Sequence, residues 1–175
     1  MTEVRDAGPA DIAAITRIYR QSVECGTASF ELVAPSKQDM QHRFEAIRAD
    51  GYPFIVAVNG EGSVVGYAYA SAHNARPAYC WSVQDSIYLD KNARGRGVGK
   101  LLLLTLIERC EALGFRQMIA TIGGPEPASV ALHRALGFVH IGTLSGAGSK
   151  FGRWLDTAIM QRTLGDGTNS DPDQV

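Results

Sequence analysis

Residues 94–99 read Arg-Gly-Arg-Gly-Val-Gly, and what flanks them limits the possible folds more than any other feature of the chain. Before the run, residues 81–89 alternate apolar and polar side chains, as a half-buried strand does. After it, residues 100–113 form a strongly apolar helical stretch that Gly114 stops. A strand, a glycine loop and a helix in that order present unpaired backbone N–H groups at a helix start, where an anion binds. Glycines there allow positive φ and close approach, so that successive N–H groups form a concave nest. Arg94, Arg96 and Lys100 add positive charge around Gly95, Gly97, Val98 and Gly99. Taken alone, the run also fits a flexible turn with solvated arginines. A P-loop is excluded, because Lys100 is followed by Leu101 rather than Ser or Thr. A dinucleotide fingerprint belongs near an N-terminal βαβ unit, whereas this run follows three antiparallel strands.

The rest of the pattern supplies the architecture. Residues 3–6 read as a short strand. Pro9-Ala10-Asp11 then opens a helix whose inner face carries Ile12, Ile15, Ile18 and Tyr19. Ser36 is placed to cap a second helix with Met40, Phe44 and Ile47 inside. The period then changes to that of strands: Phe54–Val58, a tight turn at Asn59-Gly60-Glu61-Gly62 in which Asn-Gly supplies positive φ, and a return strand over residues 64–71. Residues 117–122, 138–143 and 154–161 read as strands, and 128–136 as a short helix. The order β-α-α-β-β-β-α-β-α-β-β implies an α+β fold with a central mixed seven-stranded sheet flanked by helices. Residues 1–164 are expected to form one domain. The polar segment 165–175 is expected to be a disordered tail.

Composition narrows the classes of partner. With 17 Lys and Arg against 18 Asp and Glu, the net charge of -1 gives no reason to expect nucleic acid. No apolar run reaches the roughly 18 residues of a membrane helix. Cys25, Cys80 and Cys110 are scattered without metal-ligand spacing, which points to reduced thiols in a cytoplasmic protein and to no bound metal.

In the glycine run and the element order, the chain resembles the GCN5-related N-acetyltransferase superfamily. Leu132-His133-Arg134-Ala135-Leu136-Gly137-Phe138 extends the resemblance to that superfamily's helix-to-strand junction. A closer resemblance is to its phosphinothricin and methionine sulfoximine/sulfone acetyltransferase subgroup. It is carried by residues 75–81, by Asp85-Ser86-Ile87-Tyr88-Leu89, by residues 129–138 and above all by Lys150-Phe151-Gly152-Arg153-Trp154-Leu155-Asp156. The resemblance spans residues 4–164.

That resemblance implies an acetyl-CoA-dependent N-acetyltransferase, a homodimer, acting on a small amine such as phosphinothricin, methionine sulfoximine or methionine sulfone. The rivals are another amine (an amino acid, a polyamine, an antibiotic or a protein N-terminus) and a CoA-binding protein of weak activity. The resemblance places Ile87, Tyr88 and Leu89 along the pantetheine arm, Arg94 to Lys100 at the pyrophosphate and Ser129 against CoA. His133 stands where many relatives carry a tyrosine near the thioester sulfur, which implies a general acid. Gln84 replaces the subgroup's glutamate and cannot take a proton, though it can orient an amine or a water. Asp85 could act only if a bulge reoriented it; otherwise it bonds a neighbouring element. Glu126 stands in place of an asparagine, and is expected to turn to solvent or to touch the amide-rich arm of CoA. Arg76 and Arg153 are the candidates for a substrate carboxylate, with Phe30, Tyr79 and Trp154 walling its side chain. Lys150 and Arg153 also read as solvated surface charges.

Overall fold

In a computed structural model, the structure describes residues 1–171. The seven strands are β1 (Glu3–Asp6), β2 (Phe54–Val58), β3 (Val64–Ala72), β4 (Ser82–Leu89), β5 (Gln117–Gly123), β6 (Val139–Lys150) and β7 (Arg153–Thr163). The helices are α1 (Ile12–Cys25), α2 (Lys37–Ala49), α3 (Val98–Ala112) and α4 (Pro127–Ala135). The strands lie in the order β1-β2-β3-β4-β5-β7-β6. Only the β4–β5 pair is parallel, and α3 makes the crossover between them. The α+β reading and the element order therefore hold.

Strand alternation divides the core between two faces. On one, Leu102, Leu103, Leu106 and Ile107 of α3 pack against Ile55, Val83 and Met118. On the other, Ile12, Ile15, Ile18 and Tyr19 of α1 and Met40 and Phe44 of α2 pack on Phe54, Val56 and Tyr67. Ser36 caps α2 as expected, accepting from the Asp39 N–H while Asp39 accepts from the Ser36 N–H.

Three local expectations need correction. The β2–β3 turn is not an Asn-Gly two-residue turn: Gly62 takes the positive φ, and the Asn59 side chain accepts the N–H groups of Glu61 and Ser63. The last two strands are longer than expected. Gly142, Gly146 and Gly148 interrupt the alternation in β6, and two register irregularities absorb them. Residues 165–171 form turns instead of disorder, with Arg116 donating to Gly167 and Ser170; the expectation for 172–175 lies outside the described residues. No helix among the described residues is long and apolar enough to cross a membrane.

Candidate active site

The parallel ladder between β4 and β5 is short. It pairs Ser82, Val83 and Gln84 with Gln117, Met118 and Ile119, and then the strands diverge. Beyond Gln84, β4 keeps its partner β3 but has no strand on the β5 side. The backbone groups of residues 85–89 that face β5 are thus left for a ligand. Two cavities meet at this split.

The first is a groove of about 360 Å³ that runs from the split to the start of α3. Ile87, Tyr88, Leu89, Arg94, Gly95, Gly97, Gly99, Lys100 and Ser129 line it. Gly95 and Gly97 have φ of 71° and 80°, and nothing lies within 4 Å of where a Cβ would stand on either. Gly97 is the N-cap of α3, so the loop opens its N–H groups onto empty space at the positive end of the helix. A pyrophosphate fits this cradle, and a pantetheine arm fits the free edge of β4.

Arg96 and Val98 do not line the groove. Arg96 is exposed, and Val98 turns into the core as the first residue of α3. Ser22, Gly26, Ala28 and Leu132 do line it and were not anticipated; they carry no sequence signal beyond ordinary packing. Glu126 lines it as well and is the N-cap of α4.

The second cavity is a wedge of about 260 Å³ between the diverging strands. Gln84, Ser86 and Tyr88 of β4, Thr121 and Gly123 of β5, and the Ala28–Ser29–Phe30 segment bound it. Ser129 and Tyr88 both border the two cavities, and Ser129 is the one whose hydroxyl lies beside His133.

The floor of the wedge holds Asp85 and His133. β4 pairs with β3 without a bulge, so Asp85 stays on the α3 side of the sheet and Gln84 on the other. There Asp85 Oδ2 lies 3.0 Å from His133 Nε2, and both side chains are 2% exposed. His133 Nδ1 lies 2.7 Å from the Ser129 carbonyl oxygen and 3.4 Å from its hydroxyl. A carboxylate and a carbonyl can only accept, so the ring beside an ionised Asp85 carries both protons. Burial alone would lower the His133 pKa. The Asp85 hydrogen bond and charge, with the Ser129 carbonyl, outweigh it and raise the value above the ordinary histidine range.

Without a bulge, Asp85 bonds a neighbouring element, and His133 lies against it in the floor of the wedge with 2% of its side chain exposed. Gln84 remains at the wedge, half-buried and opposite Ser71 of β3.

The acceptor-binding expectations fare unevenly. Phe30 lines the wedge, its ring lying where a Cβ on Gly123 or Gly148 would be. Arg76 and Tyr79 sit outside, at a 3₁₀ turn where Tyr79 packs edge-on against His73. Arg153 and Trp154 are exposed beside the β6–β7 turn, Trp154 at 77%. None of these four borders the wedge, because the hairpin carries the last two past it.

Lys150 is the opposite surprise. It is 4% exposed, and its ammonium donates to the carbonyls of Gly26 and Ser29 at 2.9 and 2.7 Å. Burial lowers its pKa. Lys150 therefore holds the Gly26–Phe30 segment that walls both cavities. Tyr19 supports the same segment from α1, its hydroxyl bonding Ser29 Oγ and Glu31, and Arg43 of α2 pairs with Glu31 at 2.6 Å.

Comparison with known proteins agrees with this geometry. Residues 15–138 match the model of the acetyltransferase (GNAT) family. The chain is 46% identical over 171 residues to the phosphinothricin N-acetyltransferase of Alcaligenes faecalis, covering 97% of this chain and 86% of that protein. It is 40% identical to the L-methionine sulfoximine/L-methionine sulfone acetyltransferase of Pseudomonas paraeruginosa, covering 97% and 98% of the two chains. Among solved structures, a phosphinothricin acetyltransferase from Sinorhizobium meliloti in complex with AcCoA superposes with a TM-score of 0.97 at 55% identity, over 99% of this chain and 94% of that one. With a groove that fits pantetheine and pyrophosphate beside a wedge for a small acceptor, the chain belongs to the acetyltransferase (GNAT) family and is an acetyl-CoA-dependent N-acetyltransferase.

Proposed function

We propose that the acceptor is the amino group of a small amino-acid analogue, of the kind represented by phosphinothricin, methionine sulfoximine and methionine sulfone. The observation that carries this reading is the 46% identity to a phosphinothricin N-acetyltransferase over nearly the whole chain. The roughly residue-sized wedge of about 260 Å³ between β4 and β5 supports it, since its volume suits a small amine. CoA occupies the groove along Ile87 to Leu89, with its pyrophosphate at Arg94 to Lys100. The acceptor nitrogen lies in the wedge, where Gln84 orients it by hydrogen bonding. Asp85 is buried in the floor of the wedge with its Oδ2 held by His133, so a neutral amine attacks after losing a proton to water. Backbone N–H groups at the free edge of β4 stabilise the oxyanion.

The protein acts as a homodimer in this reading. β6 is a twelve-residue edge strand with Val139, Ile141 and Leu144 exposed, and Phe151 and Trp154 are exposed at its end. Such an edge calls for a partner. Arg153 and Trp154 of one copy are then the groups offered to the other's acceptor, with Arg76 and Tyr79 at the rim. Three unpaired thiols accord with a reducing cytoplasm.

Purified protein, acetyl-CoA and a panel of amines with a thiol-release readout test the acceptor. Turnover is expected on methionine sulfone, methionine sulfoximine and phosphinothricin. Turnover on polyamines without turnover on those three would overturn the reading.

A further inference from the structure

We propose that Ser129 delivers a proton to the departing CoA thiolate and that His133, seated on Asp85, replaces that proton from below. The inference deepens the acetyl-transfer reading, and it applies to whichever amine the wedge accepts.

Thioester aminolysis must return one proton to sulfur. The imidazolium of His133 is the natural reservoir, but the ring is 2% exposed and lies beneath the wedge. Ser129 bridges that gap. It is half-exposed, it borders the groove and the wedge alike, and its Oγ lies 3.4 Å from His133 Nδ1. Asp85 fixes the other end of the ring through Nε2 at 3.0 Å. The only other titratable group facing this pair among the described residues is Cys110 of α3, and burial together with the Asp85 charge pushes its thiol up to about 12. The thiol therefore stays protonated and does not compete for the proton.

The step balances as follows. The acceptor nitrogen forms the C–N bond and releases its surplus proton to water in the wedge. The C–S bond breaks, and its electron pair leaves on sulfur. The Ser129 Oγ proton passes to sulfur as the Nδ1 proton passes to Oγ. His133 is left neutral, with Nε2–H still donated to Asp85. Its bare Nδ1 then faces the Ser129 carbonyl at 2.7 Å, a repulsive contact, so a proton from water returns through Ser129 once the products leave.

A hydrolase-like role for the same three residues does not follow. Nδ1 donates to the Ser129 carbonyl and has no lone pair with which to activate the hydroxyl.

The test uses Ser129→Ala and Ser129→Thr, since Ser129 is half-exposed and either change spares the core. With the best amine of the panel, the single-turnover rate of Ser129→Ala should fall about 100-fold, the low end for acid catalysis because a thiolate leaves easily. Acetyl-CoA affinity should fall by no more than about tenfold, the loss of one hydrogen bond at the groove. Ser129→Thr should recover the rate to within about fivefold. In the wild type the rate should decline as pH rises through the His133 pKa, and Ser129→Ala should lack that limb. A readout free of turnover is NMR of the His133 ring in the ligand-free protein, where both nitrogens should carry protons at pH 7. A neutral ring at pH 7, or a Ser129→Ala rate within threefold of wild type, would overturn the proposal. A different preferred amine would sink only the acceptor reading and leave this one standing.

Discussion

The two cavities that meet at the β4–β5 split are built in different ways. The cofactor groove takes its free edge and its cradle from one continuous stretch, residues 87–100, with α1, α4 and the Gly26–Ala28 segment as its other walls, and it works mainly through backbone: a free strand edge, two left-handed glycines and the start of α3. The acceptor wedge is assembled from side chains far apart in the chain. Asp85 meets His133 across 48 residues, and Lys150 reaches back 124 residues to Gly26. The groove is specified locally and the wedge by tertiary structure. A single substitution should therefore damage the groove by filling space and the wedge by removing a distant support.

Substitutions can break this contrast or sharpen it. The largest effect is expected for Gly97→Asp, which forces an L side chain into φ 80° and puts a carboxylate where phosphate binds. Acetyl-CoA affinity by calorimetry should fall at least about 1,000-fold, roughly 4 kcal/mol. Unchanged affinity would mean that the groove is not the cofactor site.

Asp85→Asn comes next. Breaking a buried pair by neutralising one partner costs about 3 kcal/mol, read from denaturant midpoints. The pH dependence carries its sign. The raised His133 pKa gives stability that is fully present below the unfolded value of about 6.5 and is lost as pH climbs through the folded value. Asp85→Asn should flatten that decline. A decline of the same steepness in the variant would assign it to another group.

Lys150→Met removes the only side-chain donor to the Gly26 and Ser29 carbonyls among the described residues, at about 2 kcal/mol of stability. The acceptor KM should rise about tenfold as Phe30 loosens, more than the KM for acetyl-CoA. An equal rise in both would erase the distinction between the cavities.

The smallest effect is expected for Gly148→Ala. Its new Cβ would fall 2.2 Å from a Phe30 ring carbon, and Phe30, being 36% exposed, can swing aside. Stability should change by less than about 1 kcal/mol, while preference among acceptors of different side-chain length shifts. Identical relative rates across the amine panel would remove Phe30 from the determinants of acceptor choice.

The same contrast explains what could be read from the sequence. The groove was legible because its signals are local: alternation in β4, glycines with a defined backbone use, and an apolar helix. Eight of its lining residues fall within residues 87–100, while Arg96 and Val98 of the same stretch face elsewhere, because a motif does not say which way each side chain points. The wedge was not legible in that way. Asp85 and His133 both looked like chemistry, yet nothing short of the three-dimensional arrangement shows that each is the other's partner. Lys150 looked like a surface charge, because no spacing in the sequence brings it to two carbonyls more than 120 residues upstream. Arg153 and Trp154 were singled out for the acceptor, but a single chain leaves them outside the wedge.

The reach of Lys150 also bears on the order in which the site is completed as the chain is made. The free edge and the cradle of the groove are complete by residue 112, β5 follows by residue 123 and α4 by residue 135. The Gly26–Phe30 wall has an early support in Tyr19, but its Lys150 anchor arrives only with residue 150, and β7, the second neighbour of β5, spans 153–163. A chain interrupted between residues 136 and 149 would carry the cradle for CoA without the Lys150 anchor of the acceptor wedge. The transfer chemistry is thereby kept back until the last hairpin has folded, so an unfinished chain can hold the acetyl donor but has no shaped place in which to spend it.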